Sequence, residues 1–202
     1  MVFIAKNIDD SDNEPIEVPS ALVREVIDGL AYPYRGWREV MEGRSNREDI
    51  MGSSGLQSEI LSLIEEFFYR EIGLEKYRFY GNESGNHLGP NTNFAFDKAI
   101  YLREDLPSGK VDRKYVAVAP HVVIEVDVNV DTDDETEMQY VHRKINKLME
   151  YGVQRVLWIF SDPNKIIVAE PDQPWRTTNW DIPVELVEGK FFNLAAAFEL
   201  YN

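Results

Sequence analysis

Apolar residues fall into two alternating rhythms along this chain. Between Gly52 and Gly73, Leu56, Ile60, Leu63, Ile64, Phe67 and Phe68 recur at three- and four-residue steps, which predicts one amphipathic helix with Gly73 as its stop. The period then changes to two. KYRFYG and NFAFDKAIYL read as strands, the second carrying Phe94, Phe96, Ala99 and Tyr101 around Asp97. HVVIEVDV is dense in β-branched residues, as a central strand buried on both faces would be. A helix over MQYVHRKINKLMEYG follows, with Ile145, Leu148 and Met149 facing inward and Gly152 ending it. VQRVLWIF and KIIVAEP are further strands, separated by the turn SDPNK. From Tyr77 to Pro171 the order is β–β–β–α–β–β, and the strand–helix–strand unit within it implies a right-handed parallel crossover.

The flanks are less regular. Residues 7–19 are polar and acidic, so 1–19 is expected as an extended or poorly ordered lead-in to a single domain over 20–202. Ser20 is placed to cap a short helix over ALVREVIDG ended by Gly29, and LAYPYRGWREVMEGR reads as a short hairpin. The tail alternates in PVELVEG and closes with a small helix over NLAAAFELY. The fold class expected is α/β, a mixed sheet flanked by helices.

Composition narrows the class. With 202 residues the chain is long enough for one sizeable core, and 44% hydrophobic with 28% charged residues is ordinary for a globular protein. No apolar run approaches the roughly 20 residues that span a bilayer. The first 20 residues lack the basic leader, long apolar stretch and small-residue cleavage site of a secretory signal, so a cytoplasmic location and no membrane partner are expected. The absence of cysteine excludes disulfides, thiolate zinc sites and a cysteine nucleophile. The net charge of −15 opposes contact with nucleic acid, unless the basic cluster of Arg143, Lys144 and Lys147 or a bound cation intervenes.

Two carboxylates stand out against their surroundings. Asp97 lies in one apolar strand and Glu125 in another, where burial of a charge calls for a partner. Acidic residues on neighbouring strands aimed at one spot are what Mg²⁺ or Mn²⁺ needs to hold a phosphate and acidify an attacking water. Asp127, two residues beyond Glu125, either shares its strand face or opens the following loop. Lys144 could supply positive charge from the helix, in competition with Arg143 and Lys147. His87, His121 and His142 have no evident partners, DTDDETE lacks the spacing of a calcium loop, and Trp175 and Trp180 read as core cover before a stacking platform.

Several segments in order carry a family resemblance. FDKAIYL is similar to a Pro-Asp strand, PHVVIEVDV to a strand ending Val-Glu-Val, and KINKLMEYGVQRVLWIFSDPNK to a helix–Gly-Val–strand–Asp-Pro signature. EVIDGLAYP and IPVELVEGKFFNLAAAFE match an N-terminal Glu-Leu-Ile-x-Gly segment and a closing strand and helix. Together the chain resembles the Uma-type restriction endonucleases of the PD-(D/E)xK nuclease-like superfamily. The resemblance implies a restriction-endonuclease-like core and a Mg²⁺- or Mn²⁺-dependent DNA endonuclease. It gives catalytic roles to Asp97, Glu125 and Lys144, metal ligation to Asp97 and Glu125 with Asp127 a further candidate, and Glu25 a place as a third acid. Phe96 replaces the family's proline, His121 its acid, and a helical histidine is missing near Gln57 and Ser58. The alternative is a catalytically silent module of the same fold that binds a protein or itself; a homodimer suits both readings.

Overall fold

The computed structural model describes residues 2–5, 16–89, 91–106, 116–132 and 136–200. In chain order the elements are β1 (Val2–Ala5), β2 (Ile16–Pro19), β3 (Val23–Ile27), β4 (Leu30–Pro33), α1 (Trp37–Met41), α2 (Arg47–Met51), α3 (Gly55–Phe67), β5 (Tyr77–Gly89), β6 (Thr92–Leu102) and β7 (Val122–Val126). They continue as α4 (Glu137–Glu150), β8 (Arg155–Phe160), β9 (Lys165–Ala169), β10 (Arg176–Asn179), β11 (Val184–Val187), β12 (Lys190–Phe192) and α5 (Leu194–Glu199). The main sheet runs β10-β9-β8-β7-β6-β3-β4, with β5 on the other edge of β6. Only β7 and β8 among its described pairs are parallel, joined by α4 as the sequence predicts.

Period-two burial sorts the side chains onto two layers. Ile100, Ile124, Leu157 and Val168 face Ile60, Leu63, Ile64 and Phe68 on the α3 side. Ala99, Tyr101, Val123, Val156 and Trp158 face Tyr140, Val141, Ile145 and Leu148 of α4. Both faces of β7 are covered, which is why HVVIEVDV shows no polar alternation. Ser54 caps α3 by accepting from Gln57 N, and a π-helical turn over Phe68–Ile72 carries the chain to Gly73 at φ +74. The inward stripe of α3 is rotated from the predicted one: Gln57 is buried, whereas Leu56 is exposed.

The N-terminal elements differ from expectation. The segment predicted as a helix to Gly29 is a single 3-10 turn, Ser20–Leu22, followed by strand β3. Val23, Val26 and Ile27 favour the strand, and Asp28 and Gly29, at φ +51 and +82 between the paired Ile27 and Leu30, form a two-residue turn of the I′ kind. The predicted hairpin over LAYPYRGWREVMEGR is instead β4 followed by α1, which the chain enters through Gly36 at φ +86. Residues 7–15 of the expected lead-in lie outside the described residues; 16–19 are strand, with Val18 packed on Leu22 and Trp37.

The sheet forks at β6. Along one edge β6 pairs with β7 through Lys98, Ala99 and Ile100, and then with β3 only at Asn93. Between those points, residues 94–97 have β5 on their other side and no strand partner in the fork. The alternation of β6 also slips there, since Phe94 and Phe96 face α4 but so do Ala99 and Tyr101. Nothing lies within 4 Å of where a Gly29 Cβ would be, so Gly29→Ala isolates the backbone requirement of the turn. It is expected to lower stability by about 1 kcal/mol in urea denaturation; no loss would show that the turn tolerates an L side chain at φ +82.

Candidate active site

The fork holds a buried cluster of charges. Asp97 sits at the last β6 position before pairing with β7 begins. Its Oδ2 accepts from the Val126 backbone N–H at 2.8 Å, a donor that continued pairing would use, and from Gln57 Nε2 at 3.2 Å. Its Oδ1 accepts from the Arg24 guanidinium at 2.9 Å. On β7, Glu125 alternates with the inward Val123 and so points to α4, where Oε1 lies 3.0 Å from Lys144 Nζ. Lys144 Nζ also donates to Glu25 Oε2 at 2.8 Å and to the Ala95 carbonyl at 3.4 Å. The Tyr140 hydroxyl completes the group by donating to Glu25 Oε1 at 2.6 Å.

Local sequence explains these placements. Tyr140, Val141, Lys144, Ile145 and Leu148 are spaced as one face of α4, so Lys144 is carried into the apolar layer with its neighbours. Its ammonium lies 5.7–6.0 Å from the ring centres of Phe94, Phe96, Tyr140 and Trp158, within cation–π range of all four. Strand alternation would put Arg24 and Glu25 on opposite faces. A bulge prevents that: Val23 pairs with Pro33 and Glu25 with Tyr32, leaving Arg24 as the extra residue and turning its side chain into the same cluster.

Electrostatics follow from burial. Desolvation pushes the Glu125 carboxyl up to about 8, against the pull of Lys144. Burial opposes the Lys144 charge too, but Glu125 and Glu25 outweigh it and hold the ammonium above its ordinary value. Burial and the Glu25 charge keep the Tyr140 hydroxyl protonated, well above its ordinary range. The Arg24 guanidinium is raised despite burial by Asp97, then Glu125. Although Glu125 Oε1 is close to Lys144, it accepts no aligned hydrogen bond. The ion pair contributes attraction without hydrogen-bond strength.

The cluster contains three carboxylates (Asp97, Glu25, Glu125) and two cations (Arg24, Lys144). With Glu125 ionised the cluster has one excess negative charge, and its carboxylate oxygens, the unaligned buried Glu125 oxygen among them, fit a hard divalent cation. Among the described residues no three His, Cys, Asp or Glu side chains are grouped as a ready-made metal cage. Asp97 and Glu125 are the two carboxylates that could hold such a cation, with water in the remaining positions.

The sequence-predicted residues divide clearly. Asp97, Glu125, Lys144 and Glu25 are brought together, Glu25 from a strand and not from the expected helix. Asp127 is not, and the expectation that it shares the Glu125 face is corrected. The strand ends at Val126, and Asp127 at φ +58 turns its carboxylate to the Ser161 N–H and hydroxyl, both at 2.7 Å. Arg24, Tyr140 and Gln57 were not anticipated as site residues. The i, i+4 spacing of Tyr140 and Lys144 could have found Tyr140, and no sequence signal marks the bulge that brings in Arg24. His87 bonds Asn93, His121 packs beside Tyr77, and His142 beside Trp175, all outside the cluster. Trp180 stacks on Phe198 as core cover. Of the acidic loop, residues 133–135 lie outside the described residues, and Asp131 is held by Trp37 Nε1 and Arg38.

A mixed, mostly antiparallel sheet flanked by helices carries this cluster at its fork. The chain shares that fold with a crystal structure described as "a putative nuclease belonging to DUF820" from Anabaena variabilis ATCC 29413. The TM-score is 0.62 at 17% identity, over 90% of this chain and 93% of that one. No protein-family model and no curated protein matches the sequence. Among the described residues, no helix is long and apolar enough to cross a membrane.

Two outcomes follow from the buried charges. Folded Glu125 keeps its proton to about pH 8, whereas an unfolded glutamate releases it near 4.5. Between these values the folded chain binds more protons, so this group's stabilisation is complete at the acid end and is lost as pH rises through about 8. The stability of the wild type relative to Glu125→Gln should therefore fall from about pH 5 to about pH 8, by on the order of 2–3 kcal/mol. A flat difference in urea titrations would mean that Glu125 is ionised throughout. Lys144→Met leaves buried carboxylates without their counter-ion and should cost about 3–5 kcal/mol. A loss below about 1 kcal/mol would show that packing, not charge, holds α4 to the fork.

Proposed function

We propose that this protein is a divalent-cation-dependent endonuclease that hydrolyses phosphodiester bonds, with DNA as its substrate. The observation that carries the reading is the convergence of Asp97 and Glu125 at the fork of a nuclease-like core, with Lys144 behind them. Mg²⁺ or Mn²⁺, held by the two carboxylates, would supply the charge that draws a phosphate to an acidic protein and lower the pKa of the attacking water.

The chain's own residues divide the remaining work. Asp97 is fixed by the Val126 N–H and Gln57, so its carboxylate keeps one orientation. Lys144, buried between Glu25 and Glu125, acts in this reading as a positioning residue that holds the two side by side. This narrows the role expected from the resemblance, in which Lys144 orients or activates water directly. Gln57 lies where the family's helical histidine is missing, and its amide orients Asp97 without being able to exchange a proton. Paired nicks on a duplex would call for two such sites, which a homodimer supplies.

The competing reading is a silent module that binds a protein or itself, favoured by the −15 net charge and the closed ion pairs of the acid cluster. Plasmid DNA incubated with the purified protein distinguishes the two. The nuclease reading expects nicking that requires Mg²⁺ or Mn²⁺ and drops roughly 100-fold or more in Asp97→Asn and Glu125→Gln. Folded protein that cuts neither duplex nor single-stranded DNA with either cation would leave the silent module as the better account.

A further inference from the structure

The position of Arg24 has a consequence for how the acid pair meets a cation. Two of the bonds on Asp97 come from Val126 N–H and Gln57 and fall on Oδ2. Oδ1 is the oxygen left for a metal ion, and it is the one the Arg24 guanidinium holds, at 2.9 Å. The Arg24 side chain is only 6% exposed, so water does little to screen this contact. A guanidinium is charged at every accessible pH, and two cations on one carboxylate oxygen repel. Arg24 is present in the cluster only because of the bulge in β3.

We propose that Arg24 is the acid pair's built-in counter-ion: its guanidinium stands on Asp97 where a divalent cation would bind, and the cation enters by exchange with it. The inference rests on the cation-dependent reading of the site given above. It makes Arg24 a positioning residue that keeps Asp97 and Glu125 compatible with burial in the cation-free protein and weakens the intrinsic affinity for metal. Among the described residues, the backbone ties of β3 to β6 lie at its far end, in the pairing of Val26 with Asn93 and the bonds of Asp28 and Gly29 to Thr92 and Asn91. The Arg24 end lies across the unpaired part of the fork, where no β3–β6 ladder bond holds it.

Calorimetric titration with Mn²⁺ alone tests this without reference to activity. Arg24→Gln should bind Mn²⁺ roughly tenfold or more tightly than the wild type, Arg24→Lys should stay near the wild type, and the gain should vanish in Arg24→Gln combined with Asp97→Asn. Thermal unfolding gives a second readout, because the variant lacks its counter-ion. Arg24→Gln should melt lower than wild type without metal and recover with Mn²⁺ by a larger shift than wild type shows. If Arg24→Gln does not fold alone, Mn²⁺ should restore its folding. A folded Arg24→Gln that binds Mn²⁺ no more tightly than wild type, or an unfolded one that Mn²⁺ does not rescue, overturns the exchange while wild-type binding leaves the cation-dependent site standing. Absence of Mn²⁺ binding in wild type and Arg24→Gln alike, both folded, overturns both.

Discussion

Everything at the centre of this protein depends on one interruption of the β-ladder. Strand β6 gives the same edge first to β3 and then to β7, and the stretch between those partners has polar backbone groups that no strand satisfies. Buried N–H and C=O groups left alone would each cost about 1–3 kcal/mol. Side chains take their place. Asp97 accepts the Val126 N–H, Gln57 reaches the Val126 carbonyl as well as Asp97, and Lys144 reaches the Ala95 carbonyl. The groups that fill the fork are therefore the same groups that could do chemistry there.

That double duty accounts for the composition of the cluster. A carboxylate inserted into an apolar sheet needs a counter-charge, and the counter-charge needs partners of its own. Lys144 answers to Glu25 and Glu125, Glu25 also to Tyr140, and Arg24 to Asp97, so the network spans β3, β6, β7 and α4. The aromatic rings around Lys144 add favourable faces in a place where water is excluded. With Glu125 ionised a network this closed carries a single excess negative charge, which a proton on Glu125 cancels and a divalent cation over-compensates by one unit.

How far the sequence could be read depended on whether local pattern and tertiary demand agreed. From Tyr77 onward they agree: dense β-branched runs make β7 and β8, the i, i+4 stripe makes α4, and the order β–β–β–α–β–β is observed. Asp97 and Glu125 were legible as carboxylates out of place in apolar strands, and Lys144 by its spacing from Gly152. The N-terminal third was harder because ALVREVIDG satisfies a helix-like spacing as well as a strand. The Asp28-Gly29 turn decides for the strand, since both residues adopt positive φ. Asp127 was misplaced by an alternation rule that holds only inside a strand, and the strand ends one residue earlier. Arg24 was invisible for the opposite reason. The segment reads as a helix, and even as a strand its alternation would turn Arg24 away from Glu25; a bulge is a property of the pairing between two strands that neither strand declares alone.

The two cations of the cluster are consequently not equivalent. Lys144 stands on a helix, fully buried among four rings and between two glutamates, so its removal opens a charge imbalance that nothing nearby can mend. Arg24 stands on the extra residue of a bulge, beside the unpaired part of the fork, and bonds Asp97 Oδ1. A longer, flatter guanidinium suits such a position, because it pairs directionally and sheds its hydration more readily than an ammonium. An ammonium suits the other, because a compact charge with three donors can serve Glu25, Glu125 and a backbone carbonyl at once. The distribution of arginine and lysine around the acid pair therefore separates the part of the network that keeps the fork closed from the part that faces the place where a cation would arrive.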